Sequence, residues 1–556
     1  MQRPIATISA GVALTLLSAC ASTNLPDLDP VSHESGANAI RLQAIGRYTT
    51  GFFDIGAAAP AAYDPVTRRL FVLSVDRDWI DALDISDPSA PDRITRKNVL
   101  GYGGFPNSIA IEKGIVAVAL KTVVDELPGR VLFFDVDGRR IGDPVKVGAK
   151  PVQLAFTPDG GTVVTVNQGE ANDDYTFDPE GSVSVIDLGI EEPGCRGADC
   201  SIEPSATTID FRGFNDRMAE LIAAGVRIYG PNASVAQDLE PEALAIAPDG
   251  QRAWVSLQRN NAMAIIDLPA RSVLDIVALG SKDHSRPGHG LDASDVDGAI
   301  NIRPWPIRSF YQPDLFAAYE AGGETFLVTP NEGDPRDFDG FSEDEQLRAL
   351  RLDPDAFPDA ASLQEERNLG RLRVTNVDGD ADGDGDFEQV FALGARSFAI
   401  WDAQARLLFD SGDDLEQIVA EVLPGCFNCS DSSIRFDSQS HDRGPEPEAL
   451  TVGEVGSRPY AFIAPERIGG VYVFDVGDPT APVFQQYINF RNFEIDPDQV
   501  CEEGRPKSEE CERAGDLGPE GVLFIRSAES PIDVALVVVS NELSSSTTLY
   551  RVDEVR

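Results

Sequence analysis

The stretch TPNEGDPRDFDG, residues 329–340, places Glu332, Asp334, Asp337 and Asp339 directly behind the apolar run Phe326-Leu327-Val328. Carboxylate and amide oxygens at this density share one chemistry, the ligation of a hard divalent cation, which takes six to eight oxygens. Asn331, Glu332 and Asp334 are therefore candidate ligands, and Glu242, Glu448, Glu520 and Glu542 occupy comparable places elsewhere in the chain. A solvated acidic loop is the competing reading. A second candidate is VDGDADGDGDFEQ, residues 377–389, in which Asp378, Asp380, Asp382, Asp384 and Asp386 alternate around a turn glycine. That is the layout of a calcium loop. It departs from a regular one at Gln389, where a bidentate Glu belongs, and Glu388 comes one residue early. Five alternating carboxylates repel one another unless a cation sits among them, so Ca2+ is the expected ion.

Other chemistries have little to stand on. The four histidines, His33, His284, His289 and His441, are scattered, and no G-x-S-x-G, H-E-x-x-H, P-loop or Rossmann glycine pattern occurs. Ser440, His441 and Asp442 are consecutive, whereas a triad is assembled in space. No catalytic residue is assigned. The formal net charge of −46 repels nucleic acid and anionic surfaces and attracts cations.

The elements that must position these acids repeat. PAAYDPVTRRLFVLSVDRDWIDALDIS from Pro60 has counterparts starting at Pro106, Pro151, Pro241, Pro313, Pro445 and Pro519. Each copy reads as an alternating strand, a polar turn, a second apolar strand and a strand of the type VFDV or IIDL. One such meander cannot bury both faces alone, so the chain is expected to be all-β, a seven-bladed β-propeller of YVTN-like repeats. Loop insertions near 189–238, 270–312, 339–444 and 484–516 should carry a few short helices, in NDRMAELIAAGV, EDEQLRALRL and LEQIVAEVL. Within an antiparallel sheet the start of the first strand and the end of the second lie together. Glu242, Glu448 and Glu520 should thus meet Asn167 with Glu170, Asn331 with Glu332, Glu466, and Asn541 with Glu542 at one mouth of the central channel.

The N-terminus has the layout of a secretory signal, with Arg3, a short apolar run and then Leu-Ser-Ala-Cys. It resembles a bacterial lipobox. Residues 1–19 are read as the signal peptide, Cys20 as the lipidated residue, 20–38 as a polar tether and 39–556 as the propeller. Ala21 and Ser22 favour the outer membrane, so contact with the membrane is through the lipid alone. The remaining six cysteines fall into close pairs, Cys195/Cys200, Cys426/Cys429 and Cys501/Cys511. Local disulfides suit an oxidising compartment; zinc is the rival for Cys426-x-x-Cys429.

The stretches DLEPEALAIAPDG, TPNEGDPRDFDGFSEDE, VDGDADGDGDFEQVFALGARSFAIWD, FDSQSHDRGPEPEAL and DLGPEGVLFI resemble the choice-of-anchor I family. So do ESGANAIRLQAIGRYTTGFFDIGAAA and AAGVRIYGPNASVAQDLEPEAL, which extends the likeness over nearly everything after the tether. That family groups bacterial exported proteins with animal mesenchyme-specific cell-surface glycoproteins, and members share the body but differ in surface attachment. His441 stands where an acidic residue is expected. Two functions follow as expectations. One is a calcium-stiffened binding or adhesion module for an extracellular protein or glycan. The other is a metal-dependent phosphoesterase acting on a phosphate ester, with Glu332, Glu448 or Glu520 as general base.

Overall fold

The structure, a computed structural model, describes residues 30–36, 38–190 and 195–555. Cys20, the signal sequence and most of the tether lie outside the described residues. The fold is all-β. Nine sheets are present among the described residues, and seven of them are antiparallel meanders spanning 57–98, 105–149, 151–210, 244–278, 317–410, 447–489 and 519–554. Their apolar alternation is strong on the middle strands: Ile115–Lys121 and Leu536–Asn541 are buried along nearly their whole length. Both faces of each meander are therefore covered by neighbouring sheets.

The first strands fix the neighbours. Ala57–Asp64 packs on Phe105–Glu112, which packs on Pro151–Phe156, then Leu244–Ile246, Ala317–Ala321, Pro447–Val455 and Pro519–Ile525, and the last returns to Ala57–Asp64. This closed cycle of sheets is the arrangement of a β-propeller. Closure is made by the N-terminus. Ile40–Thr49 pairs antiparallel with Ser546–Glu554, so the two ends of the described chain share one sheet. A bulge between Ala44 and Gly46 brings this strand against the turn between Trp79–Asp84 and Asp92–Asn98, where a Cβ on Gly46 would fall 2.1 Å from the Pro88 carbonyl oxygen. Only glycine fits that approach.

Two expectations about local structure are corrected. Val31–Glu34, assigned by sequence to the tether, is a strand on the outer edge of the 447–489 sheet, paired with Val483–Asn489. Its Val31 packs on the core and His33 stacks on Phe484 at 5.8 Å, contacts a polar tether would not make. EDEQLRALRL is not a helix either. Asp344–Gln346 pairs with Arg373–Thr375, and Leu347–Ala349 is a single 3-10 turn that buries Leu347. The cross-strand hydrogen bonds outweigh the helical spacing of its leucines. These residues belong to a mixed five-stranded sheet in the insertions, completed by 281–283, 308–310 and 391–392. The other two helical expectations hold, one shortened to Met218–Ala223 and the other at its expected length as Asp414–Val422. The disulfides Cys195–Cys200, Cys426–Cys429 and Cys501–Cys511 are all formed; the first closes the loop between the third and fourth strands of the 151–210 meander, and the other two lie between meanders.

If closure depends on Ile40–Thr49, truncating its core side chain must be felt. Leu42, 2% exposed, should cost about 3 kcal/mol on Leu42→Ala. Exposed Arg41→Ala should stay within about 0.5 kcal/mol. Equal denaturant midpoints for the two variants would contradict this role.

Candidate functional site

Four of the first strands are preceded or opened by proline followed by an acid: Pro241-Glu242, Pro313-Asp314, Pro447-Glu448 and Pro519-Glu520. Proline has no N–H to lose from the ladder, so it suits a strand start or a bulge. In four sheets the pairing register slips at the residue after proline: between Pro106 and Ser108, Pro151 and Gln153, Pro447 and Ala449, and Pro519 and Gly521. The bulged residue is Asn107, Val152, Glu448 or Glu520. A bulge re-aims its side chain, and here the recurrent slip sends Glu448 and Glu520 to the same end of the sheets. The second strands return to that end and deliver Glu332, Glu466 and Glu542 just beyond Pro330, Pro465 and Asn541.

These acids converge. One carboxylate oxygen from each of Asp314, Glu332 and Glu448 lies within 4.8 Å of the others. Burial, reinforced by Asp334, pushes Asp314 up to about 7. Burial and Glu446 push Glu466 up to about 8. Glu332, Glu448 and Glu520 are held well above the usual carboxylate range, by burial first and then by Asp314, Glu332 and Glu542 respectively. Glu242 is raised in the same way by burial and Asp314. Glu542 is the largest charged cause of the rise at Glu520, since a second carboxylate beside the first disfavours ionisation.

The cations stand outside this group. Arg259 binds Glu170 at 2.6 Å, Asp334 at 2.7 Å and Glu240 at 2.9 Å. Arg443 lies 2.8 Å from Glu446 and 3.5 Å from Glu332, and Arg467 joins Glu446 and Glu466. Among the described residues no Lys, Arg or His nitrogen comes within 4 Å of Glu242, Asp314, Glu448 or Glu520. Neutral donors touch the rim instead: the Gln168 amide donates to Glu242 at 2.5 Å and the Gln258 amide to Glu332 at 2.7 Å. The result is a half-buried mouth with more carboxylate oxygens than proton donors.

The structure thus brings together Glu242, Glu332, Glu448, Glu520 and Glu542 from the sequence candidates. Asn331 is placed elsewhere. Its amide donates to Ser397 at 3.2 Å, as Asn167 donates to Ser182 and Ser184 and Asn541 to Ser546, so these asparagines tie second strands to third strands. Asp334 is held by Arg259 on the rim. Asp314 was missed, although its place behind Pro313 matches that of Glu242, Glu448 and Glu520 and is the signal that finds it.

In the 377–389 loop the five aspartates divide. Asp378 pairs with Arg227 and Asp386 with Arg351, both at 2.9 Å. Asp380 accepts from the Gly383 and Gly385 amides, and Asp384 from the Asp386 amide. Asp380, Asp382 and Glu388 gather within 4.8 Å, and Asp353, Asp386 and Glu388 do the same. Glu388 thus takes the closing position that Gln389 does not.

With the mouth described, its relatives can be stated. Residues 59–479 match the choice-of-anchor I domain. The chain belongs to that family. It is 30% identical over 304 residues to the mesenchyme-specific cell surface glycoprotein of Strongylocentrotus purpuratus, covering 48% of this chain and 38% of that protein. It is 32% identical over 120 residues to Gigasin-3a of Magallana gigas, covering 20% of this chain and 42% of that protein. The matches thus span well under half of each relative's length. Among solved structures, Kuenenia stuttgartiensis hydrazine synthase superposes with a TM-score of 0.42 at 14% identity, over 91% of this chain and 99% of that one. That likeness carries nothing about function.

Raised carboxyls fix the sign of a pH effect. In chelator the native mouth keeps protons that the unfolded chain releases near 3.8 at Asp314 and 4.5 at Glu466, so their contribution is full below those values and is lost on rising through the folded ones, about 7 and about 8. Glu448→Gln removes one such charge. It should stabilise the protein by about 1–3 kcal/mol at about pH 8, a gain that fades by about pH 5. A variant less stable than the parent at both values would refute the repulsive mouth.

Proposed function

We propose that this chain is an exported, lipid-anchored cell-surface binding module, a seven-bladed β-propeller whose carboxylate mouth holds calcium. The observation that carries the reading is the approach of Asp314, Glu332 and Glu448 to within 4.8 Å, with Arg443 at 3.5 Å from Glu332 on its edge. Two unit charges 4 Å apart repel by about 4 kcal/mol at an effective dielectric of 20. A divalent ion offsets that repulsion and accepts the oxygens. Glu242, Glu466, Glu520 and Glu542 supply the further ligands that calcium's high coordination number takes. The seven meanders in their closed cycle support the blade count. The loop group Asp380, Asp382 and Glu388 is a second calcium site that stiffens an insertion.

Export and surface display are supported by the family and by the Strongylocentrotus purpuratus relative, a cell surface glycoprotein. No helix among the described residues is long and apolar enough to cross a membrane, and the lipobox supplies an anchor without one. The strand Val31–Glu34 would then carry the tether away from the outer edge of the 447–489 sheet. The partner is an extracellular protein or a glycan. The phosphoesterase alternative gains no support from the family or its named relatives.

With the loop silenced by Asp380→Asn and Asp382→Asn, calcium should still raise the melting temperature in proportion to the logarithm of its concentration above Kd. The stabilisation should reach about 2.7 kcal/mol at a hundredfold excess. Glu332→Gln should weaken the response and Asp359→Ala should not. A flat response in the loop-silenced protein would sink the mouth site. Intact-mass analysis of the membrane fraction should find a lipid on Cys20, and Cys20→Ser should abolish it; an unmodified, processed native chain would remove the anchor from the account.

A further inference from the structure

Beside the mouth lies a separate concavity of about 510 Å3, within the range of small-molecule sites. Its walls come from four distant parts of the chain: the turn carrying Arg259, the segment 334–338, the insertion strands bearing Asp344 and Arg373, and residues 441–443. The fold gathers them because Gly340 donates its amide to the Asp173 carbonyl at 2.7 Å, pinning the hairpin Asp337–Phe338 with Phe341–Ser342 against the 172–178 loop. Tyr175 meets both Phe338 and Phe341 edge-on, at 5.4 and 5.8 Å.

The polar groups here differ in kind from those of the mouth. Each guanidinium is closed on a carboxylate. Arg259 holds Asp334 at 2.7 Å, Arg373 grips both oxygens of Asp344 through Nε at 2.8 and 2.9 Å, and Arg443 lies 3.7 Å from Asp442. Such pairs fix donors and acceptors in direction while nearly cancelling their charge. An anion entering would meet the aspartates, and a cation would meet three guanidiniums. An apolar ligand would strip water from these groups and return no hydrogen bonds. Hydroxyl groups donate and accept at once, so a polyol satisfies alternating donors and acceptors. Half-buried Phe338 adds an apolar surface for a C–H face.

We infer that this pocket binds a neutral saccharide unit, held by Asp344, Arg373 and Asp442 with its C–H face on Phe338. The inference rests on the reading of the chain as a binding module and supplies its ligand class; it uses none of the carboxylates of the central mouth.

The test is saturation-transfer NMR and calorimetry on the folded protein in calcium. The probes are maltose, cellobiose, lactose and N,N′-diacetylchitobiose at millimolar concentration, with glucuronate and glucosamine as charged comparators. At least one neutral disaccharide should bind saturably and more tightly than either comparator. Phe338→Ala and Asp344→Asn should each weaken it by about tenfold or more, while exposed Asp359→Ala, which lies outside both sites, should leave it within about twofold. The calcium response of both pocket variants should persist, which separates a lost pocket from a lost fold. No binding by any neutral probe, preference for a charged one, or binding that survives both variants would overturn the inference. A calcium response that fails while saccharide binding persists would count against the cation site alone.

Discussion

The antiparallel pairing of Ile40–Thr49 with Ser546–Glu554 is the constraint on which the remaining geometry depends. It joins the two ends of the body in one sheet, and so converts a row of meanders into a closed cycle. In an open row the outer sheets would each leave a face in water, and the first strands of the first and last meanders would lie far apart. Closure sets Ala57–Asp64 beside Pro519–Ile525 and brings every first strand to a common axis. Strand starts that are distant in sequence then share one mouth. Glu332 and Glu448, more than a hundred residues apart, meet Asp314 there because the cycle closes.

The mouth is costly to build, and its surroundings show how the cost is contained. Arg259, Arg443 and Arg467 are placed to neutralise Glu170, Glu240, Glu446 and Asp334, which form the rim. They hold the wall rigid without entering the centre. The proline bulges at Glu448 and Glu520 keep those carboxylates turned inward even though water would solvate them better elsewhere. A group of acids with raised proton affinity, fixed by the backbone and fenced by arginines, is the observation on which the proposed divalent-ion site rests. Next to it, the pocket lined by Asp344, Arg373 and Phe338 uses the same residue types in paired form. The contrast between unpaired acids at the axis and paired charges beside it separates cation chemistry from recognition of a neutral ligand.

The sequence carried much of this in its repeats. Proline followed by an alternating strand marked the seven first strands, and antiparallel geometry then placed Glu332, Glu448, Glu520 and Glu542 at one end. Asp314 is harder to see because an aspartate stands behind Pro313 where Pro241, Pro447 and Pro519 are followed by glutamate. Asn331 misled because an amide beside acids looks like a ligand, whereas its register opposite Ser397 is set by a strand from the far side of a long insertion. The insertion sheet was invisible for the same reason: its strands are two or three residues long and pair 281–283 with 308–310 and 344–346 with 373–375. No periodicity develops over so few residues. The pocket beside the mouth joins that insertion to the Arg259 turn and to residues 441–443, so neighbouring sequence says nothing of it.

The most direct test of the central claim is a crystal structure grown with calcium and repeated with terbium in its place, read by anomalous scattering. A terbium peak bounded by Asp314, Glu332 and Glu448, within about 2.3–2.6 Å of their oxygens and lost in Glu332→Gln, is the expected result. Anomalous signal confined to the 377–389 loop, with the mouth carboxyls protonated and hydrogen-bonded to one another, would contradict it.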